Sequence, residues 1–250
     1  MVQPIRPVPI RHVVVTGGIY HDFAGTAAAF AKVIEPLGVQ TTIVTDAEAA
    51  LSSVDVSTCD LLTIDALLFT MTQHDKYAPL REQYAFELSA RGRDNLERYV
   101  REGGSLLGLH TASICFDGWA NWANILGAGW VWGQSSHPPA GAVQVKRMVD
   151  GDDIVADAPP FEVFDEVYRG LQLAPGVQPL LQARAASDSE FYPVMWRHRY
   201  GEGRVIYDAL GHGPDCITEP THLSILKRAV QWLIEPALAK QQYRGNTAHA

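Results

Sequence analysis

Three histidines stand where an apolar run gives way to glycines or small residues. His110 follows Ser105–Leu109, with Gly103-Gly104 just upstream and Thr111, Ala112 and Ser113 behind it. His212 sits between Gly211 and Gly213, after the run Arg204–Leu210. His21 comes shortly after His12–Thr16, across Gly17-Gly18, and is flanked by Tyr20 and Asp22. An imidazole titrates near neutral pH, so such residues suit general acid-base work or metal ligation. A sharp strand-turn-helix with small neighbours is also how elbow-type enzymes present a nucleophile. With an imidazole at that place, proton transfer or metal chemistry fits better than acyl transfer; equally, the ring could cap a helix or fill a gap. Carboxylates are available in Phe161–Tyr168. Strand alternation puts Phe161, Val163, Asp165 and Val167 on one face and Glu162, Phe164, Glu166 and Tyr168 on the other. Only one of Asp165 and Glu166 then points directly into a given pocket. An acid on an otherwise apolar face is costly unless paired, which favours Asp165. Imidazoles with a carboxylate suit zinc or a related divalent ion, with His21, His110 and His212 as ligands. No HExxH or similarly compact spacing exists, so that remains the lesser reading. Gly17-Gly18 lacks the GxGxxG continuation, and no nucleotide cofactor is expected.

These groups need elements to hold them. His12–Thr16, Val39–Val44, Asp60–Asp65 and Ser105–Leu109 read as buried strands, with helices between them over Ala24–Leu37, from Thr45, and over Arg93–Glu102. That order predicts a parallel sheet with right-handed crossovers. Ligands then bind at the carboxyl ends of the strands, where Tyr20, His21 and His110 fall, whereas His12 falls at the opposite edge. Asp22 is placed to cap the first helix. Residues 66–88 form a long mixed segment of the kind used as a lid or partner surface, with His74 exposed in it. Trp119, Trp122, Trp130 and Trp132 crowd a glycine-rich stretch before His137-Pro138; such a cluster is core packing more often than a sugar platform. Ala142–Met148, Val177–Ala183 and Phe191–Arg199 read as strands, and Tyr200-Gly201-Glu202-Gly203 as a hairpin turn into Arg204–Leu210. Thr221–Ile234 is an amphipathic helix. The expected organisation is an extension over 1–11, a single α/β domain over 12–235, and a polar, frayed tail over 236–250.

Composition bounds the rest. At 250 residues and 47% hydrophobic content the chain can bury a sizeable core. The net charge of −8, without any Lys/Arg cluster, argues against nucleic acid. Three cysteines, Cys59, Cys115 and Cys216, form an odd and widely spaced set that fits a reducing cytoplasm better than a disulfide framework. No signal-peptide core or membrane-length apolar stretch is present, so a cytoplasmic location and no membrane partner are expected.

Several pieces, in this order, carry a resemblance: Gly17-Gly18 with Tyr20-His21-Asp22-Phe23; Gly103-Gly104 through Gly108-Leu109-His110; His137-Pro138; Asp165-Glu166-Val167-Tyr168; Pro193 and Trp196; Gly201-Glu202-Gly203-Arg204-Val205 leading to Leu210-Gly211-His212. From about residue 12 to 235 the chain resembles the ThuA-like trehalose-utilisation family, which has the class I glutamine amidotransferase-like fold. The resemblance implies a doubly wound, mostly parallel central sheet, flavodoxin-like, with an added antiparallel strand region in the C-terminal half. It also implies a role in disaccharide utilisation, including sugars oxidised to the 3-keto form, with a small-molecule carbohydrate as partner. Amidotransferases of this fold carry a cysteine at the elbow, where this chain has His110, so glutamine hydrolysis is not expected. Under this reading His110, His212 and Asp165 are catalytic, with His110 moving the proton and His21 and His212 polarising an oxygen directly or through a metal. Tyr20, His21, Asp22, His137, Glu166 and Trp196 bind substrate. Two alternatives stay open: a catalytically silent carbohydrate-binding or regulatory domain, and a residual amidotransferase using Cys115. A homo-oligomer also stays open.

Overall fold

The computed structural model describes residues 8–247; the start of the expected extension (1–7) and the end of the expected tail (248–250) lie outside the described residues. The first half runs β1 (Ile10–Gly17), α1 (Phe23–Ile34), β2 (Val39–Val44), α2 (Ala47–Leu51), β3 (Leu61–Ala66), α3 (Arg81–Tyr84), α4 (Ala90–Arg101) and β4 (Ser105–Leu109). Next come α5 (Asn121–Leu126), β5 (Ala128–Gly129), β6 (Gly141–Arg147), β7 (Phe161–Asp165) and β8 (Gln172–Leu173). The chain continues with β9 (Gln178–Ala185), β10 (Tyr192–Tyr200), β11 (Gly203–Asp208), α6 (Pro214–Thr218) and α7 (Pro220–Thr247). Among the described residues no helix is long and apolar enough to cross a membrane.

A nine-stranded sheet has the order β2-β1-β3-β4-β11-β10-β9-β6-β7, and β5 pairs separately with β8. β2, β1, β3, β4 and β11 are mutually parallel. Counting only these, the order is 2-1-3-4-5, the doubly wound arrangement whose switch point lies between β1 and β3. Composition shows why. Every residue of β3 and β4 is buried, as sequences covered on both faces by helices must be. β6 instead alternates buried and exposed positions, the mark of a strand with one wet face. From β11 onward each pairing is antiparallel. Direction therefore reverses four times between β11 and β7, and β7 ends on the same edge as the parallel strands.

Helix α1 packs with α6 and α7, and α2 with α4. Asp22 caps α1, accepting a hydrogen bond from the Gly25 amide at 2.9 Å. Two expectations need correction. The segment 66–88 is anchored rather than free: Phe69, Met71, Tyr77 and Leu88 are buried, and Phe69 stacks on Trp132. His74 is exposed as expected, and its side chain caps a short 3₁₀ turn. Helix α7 does not end before Pro236 but runs through it to Thr247. Proline lacks the N–H that would bond the Trp232 carbonyl one turn back. Arg204 supplies the donor instead, bonding both that carbonyl and Glu235. The residues after Pro236 (Ala, Leu, Ala, Lys, Gln, Gln) are strong helix formers and carry the helix onward.

His12, near the amino end of β1, is buried between the hydroxyls of Thr41 at 2.9 Å and Thr63 at 2.8 Å. Removal from water pushes its pKa down to about 3. Below the unfolded value of ~6.5 the unfolded chain takes up a proton that the folded chain refuses, so stability falls as pH drops. At pH 5 this penalty is about 2 kcal/mol. Replacing His12→Gln keeps a partner for the threonines but removes the titration. The stability lost between pH 7 and pH 5, read from urea midpoints, should shrink by that amount. An unchanged loss in the variant would refute the assignment.

Candidate functional site

The three histidines come together because their strands end on one edge. β1 closes on Gly17 and Gly18, both at positive φ (133° and 128°), and a Cβ at Gly18 would meet the Leu67 carbonyl at 2.7 Å. Tyr20 continues the turn at φ 73°, leading into His21. His110 opens a 3₁₀ turn immediately after β4 at φ 42°, an uncommon conformation for a side-chain-bearing residue. Tyr207 on β11 donates to the His110 carbonyl at 2.6 Å, and Thr111 donates to the Ala66 carbonyl at 2.6 Å, so this turn is tied to both neighbouring strands. His212 follows β11 past Gly211 at φ 128°. Ring centroids lie 4.9 Å apart for His21 and His110, 4.8 Å for His21 and His212, and 5.6 Å for His110 and His212.

His110 is the hub. Its Nδ1 lies 2.7 Å from the Ala209 carbonyl, which can only accept, so Nδ1 carries the proton and Nε2 faces the site. Nε2 is 3.1 Å from His21 Nε2, 3.3 Å from the Tyr168 hydroxyl and 3.6 Å from Glu166 Oε2. Glu166 Oε2 is also 3.9 Å from His21 Nε2, and its Oε1 is 3.3 Å from His137 Nδ1 and 3.7 Å from His212 Nδ1. Burial opposes protonation of His110, yet Glu166, Asp165 and the Ala209 carbonyl together hold its pKa above the ordinary histidine value. Glu166 is buried, which would raise its pKa, but His110 and His21 hold it far below the carboxylate range. Burial, reinforced by the neighbouring imidazoles, pushes His212 down despite Glu166.

Of the two adjacent acids, Glu166 faces the imidazoles. Asp165 is completely buried and its oxygens accept from the amides of Glu166 (2.7 Å), Gly211 (2.7 Å) and His212 (3.2 Å). It touches the site only through a 3.7 Å approach to His110 Nδ1, which makes it a positioning residue. Trp196 is not at the site. It is fully buried, stacks on Tyr207 at 4.4 Å and donates to the Leu126 carbonyl, so it cannot bound a sugar face. Asp22 is occupied as the helix cap, and Tyr20 stands 64% exposed. His137 lies on the open side, with its side chain 38% exposed.

Further groups emerge only in three dimensions. Tyr168 packs on His110, 4.9 Å between centroids, and its hydroxyl reaches the reactive nitrogen. Trp130 packs against Tyr168 at 5.3 Å and His137 at 6.0 Å, and its buried indole N–H has no hydrogen-bond partner among the described residues. Asp65, next to last in β3, has one buried oxygen without a hydrogen-bond partner among the described residues; burial raises its pKa to about 7, against the pull of His110. Tyr168 was signalled by its place two residues after Glu166. Trp130 belongs to the tryptophan cluster that precedes His137, but nothing in the sequence separates it from Trp132, and Asp65 gave no signal beyond ending an apolar run. Cys115 is buried; its thiol donates to the Ala66 carbonyl and accepts from the Leu68 amide, and burial pushes its pKa up to about 12.

Solved structures share this arrangement of strands and helices. A ThuA-like protein of Parabacteroides merdae superposes with a TM-score of 0.71 at 16% identity, covering 91% of this chain and 90% of that one. One from Bacteroides uniformis gives 0.63 at 17% identity, covering 92% and 94%. A β-galactosidase from Rahnella sp. R3 gives 0.60 at 12% identity, covering 90% of this chain but 31% of its own. At these identities the likeness is one of fold. No curated protein sequence matches the chain. The sequence model of the family described as trehalose utilisation matches residues 11–233, nearly the whole described domain, and the chain belongs to that ThuA family.

Proposed function

We propose that this chain is an enzyme of carbohydrate utilisation that acts on a small sugar bearing a ketone or hemiacetal, at the cluster of His21, His110, His212 and Glu166. One observation carries the reading: three imidazoles and a carboxylate converge at the carboxyl ends of β1, β4, β11 and β7, with ligand atoms all within 4.8 Å of one another. Recognition of a sugar by hydrogen bonds alone rarely needs so many titrating groups in one place. The family's description as trehalose utilisation supports the substrate class.

Chemistry at a sugar carbonyl asks for two things: an oxygen must be polarised as charge develops on it, and a proton must move near neutral pH. The cluster offers both, centred on His110 Nε2. Asp165 holds the loops on which Glu166 and His212 stand. Trp130, with its apolar face and unpartnered N–H, takes over the sugar-facing role expected of Trp196. Tyr20 and His137 line the exposed side. The net charge of −8 suits a neutral carbohydrate rather than nucleic acid, and three free, buried cysteines suit a reducing cytoplasm.

His110→Gln retains a donor for the Ala209 carbonyl but removes the imidazole from the hub. Turnover of a responsive disaccharide or keto-sugar should fall by about 10²–10⁴-fold with the circular dichroism spectrum preserved. Full activity in this variant would remove His110 from the chemistry, and a sugar that binds without ever being turned over would favour the silent-domain reading.

The same geometry argues against thiol chemistry. Native protein should release no ammonia from glutamine, and a thiol reagent at neutral pH should label none of the three cysteines until denaturant is added, then all three. Fast labelling of native Cys115, with ammonia release lost in Cys115→Ser, would overturn this.

A further inference from the structure

The acceptor side of the cluster is over-supplied with lone pairs. His110 Nδ1 is committed to the Ala209 carbonyl at 2.7 Å, and His21 Nδ1 lies 3.3 Å from the Ile19 carbonyl. Both carbonyls can only accept, so both Nδ1 atoms carry protons and both Nε2 atoms present lone pairs. These face each other across 3.1 Å. The carboxylate of Glu166 adds more negative density at 3.6 Å and 3.9 Å. His212 Nδ1 is buried, makes no hydrogen bond among the described residues, and lies 3.7 Å from Glu166 Oε1. Such a convergence of lone pairs can be held by a shared proton or by a metal cation among them.

We infer that His21, His110, His212 and Glu166 are the ligands of one divalent transition-metal ion, zinc or a neighbour of it in the first row. The inference rests on the reading of this cluster as the reacting centre and assigns the polarising role there to the ion. Three arguments support it. First, the spacing fits: ligands at ~2.0–2.1 Å from a tetrahedral zinc are separated by roughly 3.3 Å, and the separations of 3.1, 3.6 and 3.9 Å bracket that value. Only His212, on the half-exposed side, has to turn inward to complete the set. Second, the outer contacts are those a metal site requires. A ligating histidine donates its other ring N–H to a carbonyl or carboxylate, which fixes the tautomer and orientation of the ring, and His110 and His21 both do this. Third, the donor types select the ion. Three imidazoles and one carboxylate favour zinc, iron(II) or cobalt over magnesium or calcium, which demand oxygen. Bound there, the ion would act as a Lewis acid on a sugar oxygen. His137 stays outside the ligand set, 3.3 Å from Glu166 Oε1, where it braces that carboxylate from the open side.

The test reads metal directly. Full-length protein stripped with a chelator is dialysed against Zn²⁺, bound zinc is counted by elemental analysis, and Co²⁺ is titrated as a spectroscopic probe. The expected result is one ion per chain, a raised melting temperature, and cobalt absorption of a low-coordinate, imidazole-bound site. His212→Ala, at the half-exposed position, and the double variant His21→Ala/Glu166→Gln should each weaken zinc binding on the order of 100-fold or more with the fold intact by circular dichroism. His74→Ala, on the exposed segment elsewhere, should bind as the parent does. Failure of Zn²⁺, Co²⁺, Mn²⁺ and Fe²⁺ alike to bind stoichiometrically, or binding unchanged in the double variant, overturns the inference. So does sugar turnover by fully stripped protein, which would leave the enzymatic reading standing. Stoichiometric metal on these ligands without turnover of any sugar would uphold the site and count against that reading.

Discussion

The carboxylate of Asp165 has no exposed surface, and it accepts three backbone amides: Glu166, Gly211 and His212. An uncompensated charge at such depth would be expensive, and three N–H donors make it affordable. Its consequence is topological. In pairing order β7 stands four strands away from β11, at the far edge of the sheet. Nothing in the ladder itself brings the end of β7 to the middle of the site. The Asp165 bonds do, by fastening the residue before Glu166 to the amides of Gly211 and His212. The distances from Glu166 and His212 to the rest of the cluster depend on that fastening. Removing one partner of such a buried network leaves the rest unsatisfied, so its cost falls on the position of Glu166 and His212 as much as on stability.

A second buried pair lies behind the first. Asp208, the last residue of β11, meets His222 Nε2 at 2.7 Å and accepts from the Leu210 amide at 3.0 Å. His222 Nδ1 in turn donates to the Cys216 carbonyl at 2.8 Å, and the Asp208 charge holds the pKa of His222 up although burial opposes it. These bonds fix residues 209–222 against the start of α7. Within that stretch the Ala209 carbonyl orients His110, and the Gly211 and His212 amides receive Asp165. One loop therefore sets the tautomer of one site histidine and the place of another. A Cys-His-Asp sequence of contacts arises here as well, with Cys216 Sγ 3.5 Å from His222 Nδ1. Burial raises that thiol far above its ordinary pKa, which makes the trio a structural clamp rather than a nucleophile.

What could be read from residues alone follows from how local each signal is. Strand ends at His21, His110 and His212 were legible because apolar runs stop at glycines or small residues within a few positions. Doubly wound order followed from alternation of strands with helices. The partner acid was misjudged for a physical reason: period-two reasoning holds only within a strand, and β7 stops at Asp165. Beyond it the chain is free of the pleat, and Glu166 and Tyr168 both reach His110. Asp165 reads correctly as an acid that must be paired, but besides the adjacent Glu166 amide its partners are two amides from a loop 46 and 47 residues away in sequence. Trp196 failed for a related reason, since a mixed strand buried on both faces does not reveal which of its aromatics meets a ligand. The extension of α7 through Pro236 depended on Arg204 from another element, which no local pattern encodes.

The backbone around the cluster is held in costly conformations. Tyr20 and His110, both bearing side chains, sit at φ 73° and 42°, and Gly17, Gly18 and Gly211 add further positive φ values on the same loops. The glycines adopt these angles without strain, but Tyr20 and His110 cost on the order of 1–3 kcal/mol each and persist only where surrounding contacts over-determine them. Here the Tyr207 hydroxyl on the His110 carbonyl and the Ala209 carbonyl on its ring leave that imidazole no freedom to swing away from His21. The inner wall of the site is thus rigid, with its lone pairs set in place before anything binds. Adaptability is confined to the outer wall, where His212, His137 and Tyr20 are partly open to solvent. Division of this kind separates two tasks: the fixed wall holds the geometry of the cluster, while the outer residues, with Trp130 beside them, are the ones able to adjust to whatever enters.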